Sequence, residues 1–199
     1  MSKKLAILTV LFFGMGIILT SCVGMQVKPT SDNFKTPQVA LDSVQLSYYE
    51  GFWYYGGKTE TAMGKAPKGG GSSPVTLDFV FEITNPNEYP VSLDSSQFFL
   101  FFDNYELRVV NDDNQMWIPA GKTNYKVLHV TLTPFSTYVK FLLASKELAL
   151  KRGDKPWDKI TQWWTGLPDM SFPIDLKDGN FTFSADGVVK VVPVNITYP

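Results

Sequence analysis

The sequence predicts a mainly β protein, a two-sheet antiparallel β-sandwich with one α-helix around residues 134–151. Three observations carry this. Val75, Leu77, Phe79, Phe81 and Ile83 alternate with Thr76, Asp78, Val80, Glu82 and Thr84, the period of a strand with one buried face. Turn-forming clusters such as Asn85-Pro86-Asn87-Glu88 and Asn111-Asp112-Asp113-Asn114 separate short extended runs, as in antiparallel sandwiches rather than parallel α/β sheets. Aromatics make up 15% of the 199 residues, and 44% hydrophobic against 19% charged residues is enough to fill a β-rich core.

The same composition narrows function. Eighteen basic and 19 acidic residues give a net charge of −1, which offers no field for neutralising phosphates, so nucleic acid is not an expected partner. The single Cys excludes an internal disulfide framework and a Cys-rich zinc site. One His excludes centres built on two or three histidines, and no metal or cofactor is expected.

Along the chain, Lys3-Lys4 precede an apolar stretch from Leu5 to Leu19, and Leu19, Thr20 and Ser21 lead into Cys22. Basic, apolar and small-residue regions in that order make a secretory signal over 1–21, and the apolar part is too short to span a bilayer comfortably. Leu19-Thr20-Ser21-Cys22 resembles the lipobox of bacterial lipoproteins, which implies cleavage before Cys22 and acylation of its thiol. Losing Lys3 and Lys4 would take the net charge from −1 to −3. Several acyl chains anchor a protein stably where one is marginal. Val23 follows, where the inner-membrane retention signal of such lipoproteins has Asp, so the outer membrane is the expected location.

Residues 22–36 read as a lipidated Cys and flexible tether, and 37–199 as the folded domain. Val39 to Tyr49 is the first strand. The segment 56–74, with six glycines, reads as an exposed flexible loop closed by Pro74. After the strand from Val75, Val91 to Leu93 and Gln97 to Phe102 are extended, and Tyr105 to Val110 pairs back across Asp103-Asn104. Tyr125 to Thr133 is another strand, with His129 on its polar side. The period then changes. Thr133-Pro134 is an N-cap followed by proline, Phe135, Tyr138, Val139, Phe141 and Leu142 recur at helical spacing, and Gly153 ends the helix behind Lys151-Arg152. Trp157, Ile160, Trp163 and Trp164 suggest a second short helix or an irregular hydrophobic cap. Phe172 to Leu176, Phe181 to Ser184 and Val188 to Thr197 close the domain as strands.

The run Leu77 to Val91, an alternating strand entering Asn85-Pro86-Asn87 and leaving as a second strand, resembles the signature of late embryogenesis abundant (LEA) type 2 domains, also called water-stress and hypersensitive response (WHy) domains. Trp117-Ile118-Pro119-Ala120-Gly121 resembles the family's apolar-Pro-Ala-Gly step, and the helix from Pro134 falls where the family has its helix. The resemblance covers roughly 37–150. It implies a fibronectin-III or immunoglobulin-like sandwich and a non-enzymatic role in protecting other proteins during drying or freezing.

Each candidate site has a structural and a functional reading. Asn85, Pro86 and Asn87 read first as a turn, because Pro86 fixes φ and the Asn side chains bond nearby backbone. Ala120-Gly121-Lys122-Thr123 lacks the first glycine of a phosphate-binding loop, with Met116 in its place. His129 has no accompanying nucleophile motif. Trp157, Trp163 and Trp164 are either core or an exposed contact for a partner. The expected protein is therefore a lipid-anchored envelope module with no catalytic residues that acts in stress protection or shielding. The alternative is a structural adaptor holding another envelope protein by a sheet edge or the Trp segment.

Overall fold

The computed structural model describes residues 27–52, 60–61, 64–65 and 73–199. The signal segment 1–21, Cys22 with Leu19, Thr20 and Ser21, and most of the glycine-rich segment 56–74 lie outside the described residues. In chain order the strands begin with β1 (Gln38–Tyr49), the short pair β2 (Glu60–Thr61) and β3 (Gly64–Lys65), and β4 (Val75–Thr84). There follow β5 (Val91–Phe102), β6 (Tyr105–Asp112), β7 (Met116–Ile118) and β8 (Thr123–Leu132). Helices α1 (Pro134–Ala144), α2 (Lys146–Arg152) and α3 (Pro156–Gly166) precede β9 (Ile174–Ala185) and β10 (Val188–Tyr198).

Two antiparallel sheets pack face to face. The first has the order β1-β4-β8, and the second β10-β9-β5-β6 with β7 also on β5. The chain is thus a β-sandwich, as its alternating runs predict. Its centre is β4, which buries Val75, Leu77, Phe79, Phe81 and Ile83 completely and turns its polar residues outward. Phe81 meets Phe181 of β9 with ring centroids 4.9 Å apart, and Phe79 meets Phe98 of β5 at 5.5 Å, edge to face.

The first strand has apolar residues of mixed parity, which a regular strand would divide between its two faces. Two bulges resolve this. Leu41 pairs with Phe81 and Ser43 with Val80, so Asp42 is extra; Leu46 pairs with Leu77 and Tyr48 with Thr76, so Ser47 is extra. Each extra residue flips the phase. Val39 and Leu41, then Val44 and Leu46, then Tyr49 all turn toward the core.

Three expectations need correction. The described part of the proposed tether, 27–36, is packed rather than free. Thr30 and Asn33 close a turn with hydrogen bonds in both directions, Phe34 is 1% exposed, and Lys190 donates to the Phe34 carbonyl. A buried aromatic at position 34 places the start of the folded unit before residue 37. The single helix 134–151 is two helices, because buried Ser145 leaves helical geometry (φ −129°, ψ 8°) between Phe141 and Ala149, both of which reach the core. The Trp-rich segment takes the first of its two expected forms, a short regular helix, α3. The flanking signals act as expected: Thr133 Oγ1 accepts from the Ser136 amide, and Gly153 (φ 73°) ends α2. The two runs after Phe172 form one strand, β9. Within it Asp178 takes φ 50°, and a Cβ on Gly179 would lie 2.7 Å from the Val194 carbonyl oxygen.

Phe79→Ala should cost about 3–5 kcal/mol in urea unfolding, because its ring is fully buried between the two sheets. Glu82→Ala on the outer face of the same strand should stay within about 0.5 kcal/mol. Equal losses would contradict this strand phase.

Candidate functional site

Both ends of the sandwich and its outer faces carry the candidate residues. At one end β4 leaves the first sheet and β5 enters the second, through Asn85-Pro86-Asn87. Asn85 is fully buried. Its Nδ2 donates to the carbonyls of Tyr89 (2.9 Å), Ile118 (3.1 Å) and Pro119 (3.1 Å), while its Oδ1 accepts from the amide and the side chain of Asn87. Asn87 reaches the arriving chain: Nδ2 donates to the Lys35 carbonyl at 2.8 Å, and Oδ1 accepts from the Lys35 amide at 2.7 Å. Every polar atom of this pair is spent on backbone or on the other Asn, so the motif joins chain segments. Beside it lies a shallow cleft of about 390 Å³ lined by Val27, Lys28, Glu88, Trp117 and Asp186 among others. Trp117 stands 62% exposed there, and Lys28 pairs with Asp186 at 3.7 Å on the surface.

On the outer face of the first sheet, Ser47, Asp78 and His129 meet. Ser47 Oγ donates to Asp78 Oδ1 at 2.7 Å, and His129 Nδ1 lies 2.7 Å from the same oxygen. Asp78 sits between the other two on the central strand. Ser47 and His129 come in from the two strands flanking β4 and both bond the same carboxylate oxygen, so the acid stands between hydroxyl and imidazole. A nucleophile needs the imidazole between hydroxyl and acid, and this geometry cannot relay a proton that way. Burial pushes the Asp78 carboxyl up, but the hydrogen bonds from His129 and Ser47 outweigh it and hold it below its usual range. Among the described residues no three His, Cys, Asp or Glu side chains come together as a metal site.

At the opposite end the helices cap the sandwich. Trp163 and Trp164 are fully buried. Trp163 Nε1 donates to Asp103 Oδ2 in the β5–β6 turn at 2.8 Å, and Trp164 Nε1 donates to the Ser73 carbonyl at 2.8 Å. Of the two readings of these residues, core and partner contact, their burial fits core, and the Trp163 ring packs against Phe102, Tyr105 and Phe141. Trp157 is partly buried, stacked on Tyr138 with centroids 4.6 Å apart. Tyr105 stacks on Phe141 and donates to Asp154 Oδ2. Burial first, and the neighbouring carboxylate second, push its hydroxyl up to about 12.

Part of the exposed surface of this cap is apolar. Leu143 is 80% exposed and Leu150 72%, with Phe135, Val139 and Leu142 exposed beside them. These residues escaped the sequence reading as a surface because they share a helical pattern with Tyr138 and Phe141, which face inward. The legible signal was an α1 segment that is apolar on both sides. The sheet edges are less available. Arg108 donates to the Thr131 carbonyl and Lys126 to the Asn114 carbonyl, bridging the β6 and β8 edges, and β10 carries Lys190 and Pro193.

No protein-family model matches the chain, and no curated protein matches it significantly. Among solved structures, it is similar to a protein from Archaeoglobus fulgidus (TM-score 0.44, 9% identity, covering 80% of this chain and 94% of that one). A Northeast Structural Genomics Consortium target is similar at TM-score 0.43 and 8% identity, covering 81% of this chain and 85% of its own. A solution structure described as a late embryogenesis abundant protein is similar at TM-score 0.32 and 13% identity, covering 99% and 86%. With scores below 0.5, none of them decides a family or a function for this chain.

Asn85→Ala should cost about 2–4 kcal/mol, because three buried carbonyls and the Asn87 amide lose their partner. Asn85→Asp, nearly the same shape, should cost at least as much, since a carboxylate would face three carbonyl oxygens; a neutral Asn85→Asp would show that the network is not closed. For Asp78 the folded value lies below the unfolded one. Its contribution is therefore present above the ordinary carboxylate range and lost as pH falls through the folded value. Urea midpoints followed from pH 6 downward, to about pH 3, should fall less steeply for Asp78→Asn than for the parent.

Proposed function

We propose that this chain is a lipid-anchored, non-enzymatic module of a bacterial envelope, held on the membrane through Cys22, that acts by contact and shielding under drying or freezing. The observation that carries the anchor is the lone cysteine set directly behind Leu19-Thr20-Ser21 at the end of the apolar leader. Its thiol has one natural use in that context, acylation, and the Val23 that follows favours the outer membrane. The shielding role takes its support from the resemblance of residues 77–91 and 117–121 to the LEA type 2 pattern, together with the sandwich itself; fold alone does not dictate function. Contact is the mode the surface suits. The Ser47-Asp78-His129 geometry does not activate a nucleophile, whereas the helical cap presents apolar side chains to solvent.

A second reading, an adaptor for another envelope protein, is favoured by that same apolar helix face. It draws nothing from Trp163 and Trp164, which are buried, and little from the bridged sheet edges.

Fatty-acid labelling and membrane fractionation check the anchor. The parent should carry acyl mass and sediment with membranes, and Cys22→Ala should abolish the label without changing the thermal midpoint; a parent free of acyl groups rules the anchor out. The protein should also reduce aggregation of a labile enzyme through freeze–thaw cycles. Protection no better than that of an equal mass of an inert β-sandwich would leave the adaptor reading in front.

A further inference from the structure

Helix α1 is apolar on two sides and buried on one. Pro134, Thr137 and Phe141 face the sandwich, while Phe135, Val139, Leu142 and Leu143 face water, continued by Leu150 on α2. At 100° per residue, positions 135, 139, 142 and 143 fall within about 100° of one another, the width of a stripe that ordinarily packs against something. Among the described residues nothing covers it.

The surroundings of the stripe show which kind of surface fits. Residues 134–159 hold six basic side chains (Lys140, Lys146, Lys151, Arg152, Lys155, Lys159) against three acidic ones (Glu147, Asp154, Asp158), a local excess of +3 in a chain whose net charge is −1. The rest of the chain therefore carries −4. Lys140 is engaged with Glu106, Lys159 with Asp103, and Arg152 with the Asp103 carbonyl and the Tyr105 ring, which leaves Lys146, Lys151 and Lys155 at exposed positions next to the stripe in sequence. Leucine and phenylalanine projecting from a helix with exposed lysines next in sequence match the acyl–headgroup boundary of an anionic leaflet. A second copy of this chain is a poorer fit, because it would bring two sets of these lysines together.

We propose that the Phe135–Leu150 face is a membrane-docking surface, seated on a bilayer leaflet bearing anionic headgroups. This deepens the lipid-anchor reading and in part rests on it, since acylated Cys22 would deliver the domain to a bilayer. The two contacts fix an orientation. The arriving chain packs at the Asn87 end of the sandwich and the helices cap the other end, separated by the ten residues of β4, about 33 Å. The six residues from Cys22 to Val27 reach at most about 20 Å. The domain must then lie along the membrane, not stand on it, with anchor and helix face touching the same leaflet from opposite ends. The surface that it shields is the bilayer itself.

The full-length mature lipoprotein, reconstituted into vesicles of phosphatidylcholine with about 30% phosphatidylglycerol, provides the test. A Leu143→Cys variant is labelled with an environment-sensitive fluorophore, and lipids brominated on the acyl chain serve as quencher. A Val189→Cys variant is the control, an exposed apolar position on β10 at the far edge of the second sheet. The parent, treated with the same maleimide, separates the two hypotheses: labelling of the parent means that Cys22 is free and the anchor reading fails on its own. Docking predicts quenching at 143 at least about threefold stronger than at 189, lost in pure phosphatidylcholine and weakened by salt. Equal, weak quenching at both positions would overturn the proposal. So would protection of position 143 from an impermeant maleimide in native envelopes combined with no quenching in protein-free vesicles, which would assign the face to a protein.

Discussion

The carboxamide of Asn85 is the interaction on which the rest of the sandwich depends. It lies where the chain crosses from one sheet to the other, and a crossing there strands backbone carbonyls away from both ladders. One buried side chain satisfies three of them, at Tyr89, Ile118 and Pro119, and orients Asn87, which fastens the arriving chain at Lys35. The Asn85 amide in turn donates to the Lys122 carbonyl, and the Gly121 amide donates to the Asn87 carbonyl. Three segments distant in sequence are thereby locked to one another, beside the contact of Phe34 with Tyr89. A fully satisfied buried network specifies one arrangement, because each alternative leaves a donor or acceptor bare.

The opposite end solves the same closure problem with aromatic bulk. Asp103, in the β5–β6 turn, accepts from Trp163 and Lys159 through its side chain and from Arg152 through its carbonyl. The Trp164 indole donates to Ser73, and its carbonyl accepts from the Tyr49 hydroxyl, so the helical cap touches both sheets. A small polar network thus closes one end and buried tryptophans the other. The polar end is where the N-terminal segment arrives. The aromatic end buries so much of the inner faces of α1 and α3 that the outer face of α1 is left bare.

Much of the fold was legible because β4 states its phase without ambiguity: five buried apolar residues at strict period two in a strand flanked by turn chemistry. Thr133-Pro134 and Gly153 marked the helical region's limits for local reasons of capping and left-handed backbone. The bulges of β1 were present only as a parity conflict, since Asp42 and Ser47 become extra residues through the register with β4. The break at Ser145 left no trace in the helical pattern, because it follows from where Phe141 and Ala149 must pack. The tether's boundary was misread for a similar reason: Phe34 looks isolated among polar residues until the chain is folded back onto Lys190 and Tyr89.

By itself the sequence determined the alternating strands, the helix limits and the turn at residues 85–87. These are local properties, set by the period of side chains and by the backbone preferences of Pro, Gly, Asn and capping residues. Only the tertiary structure decided which of two apolar sides of α1 is buried, and that Trp163 and Trp164 are core. It alone set Asp78 between Ser47 and His129 in an order that relays no proton. Those facts depend on which distant segment arrives to cover a face, and a helix apolar on both sides carries no local signal for that choice.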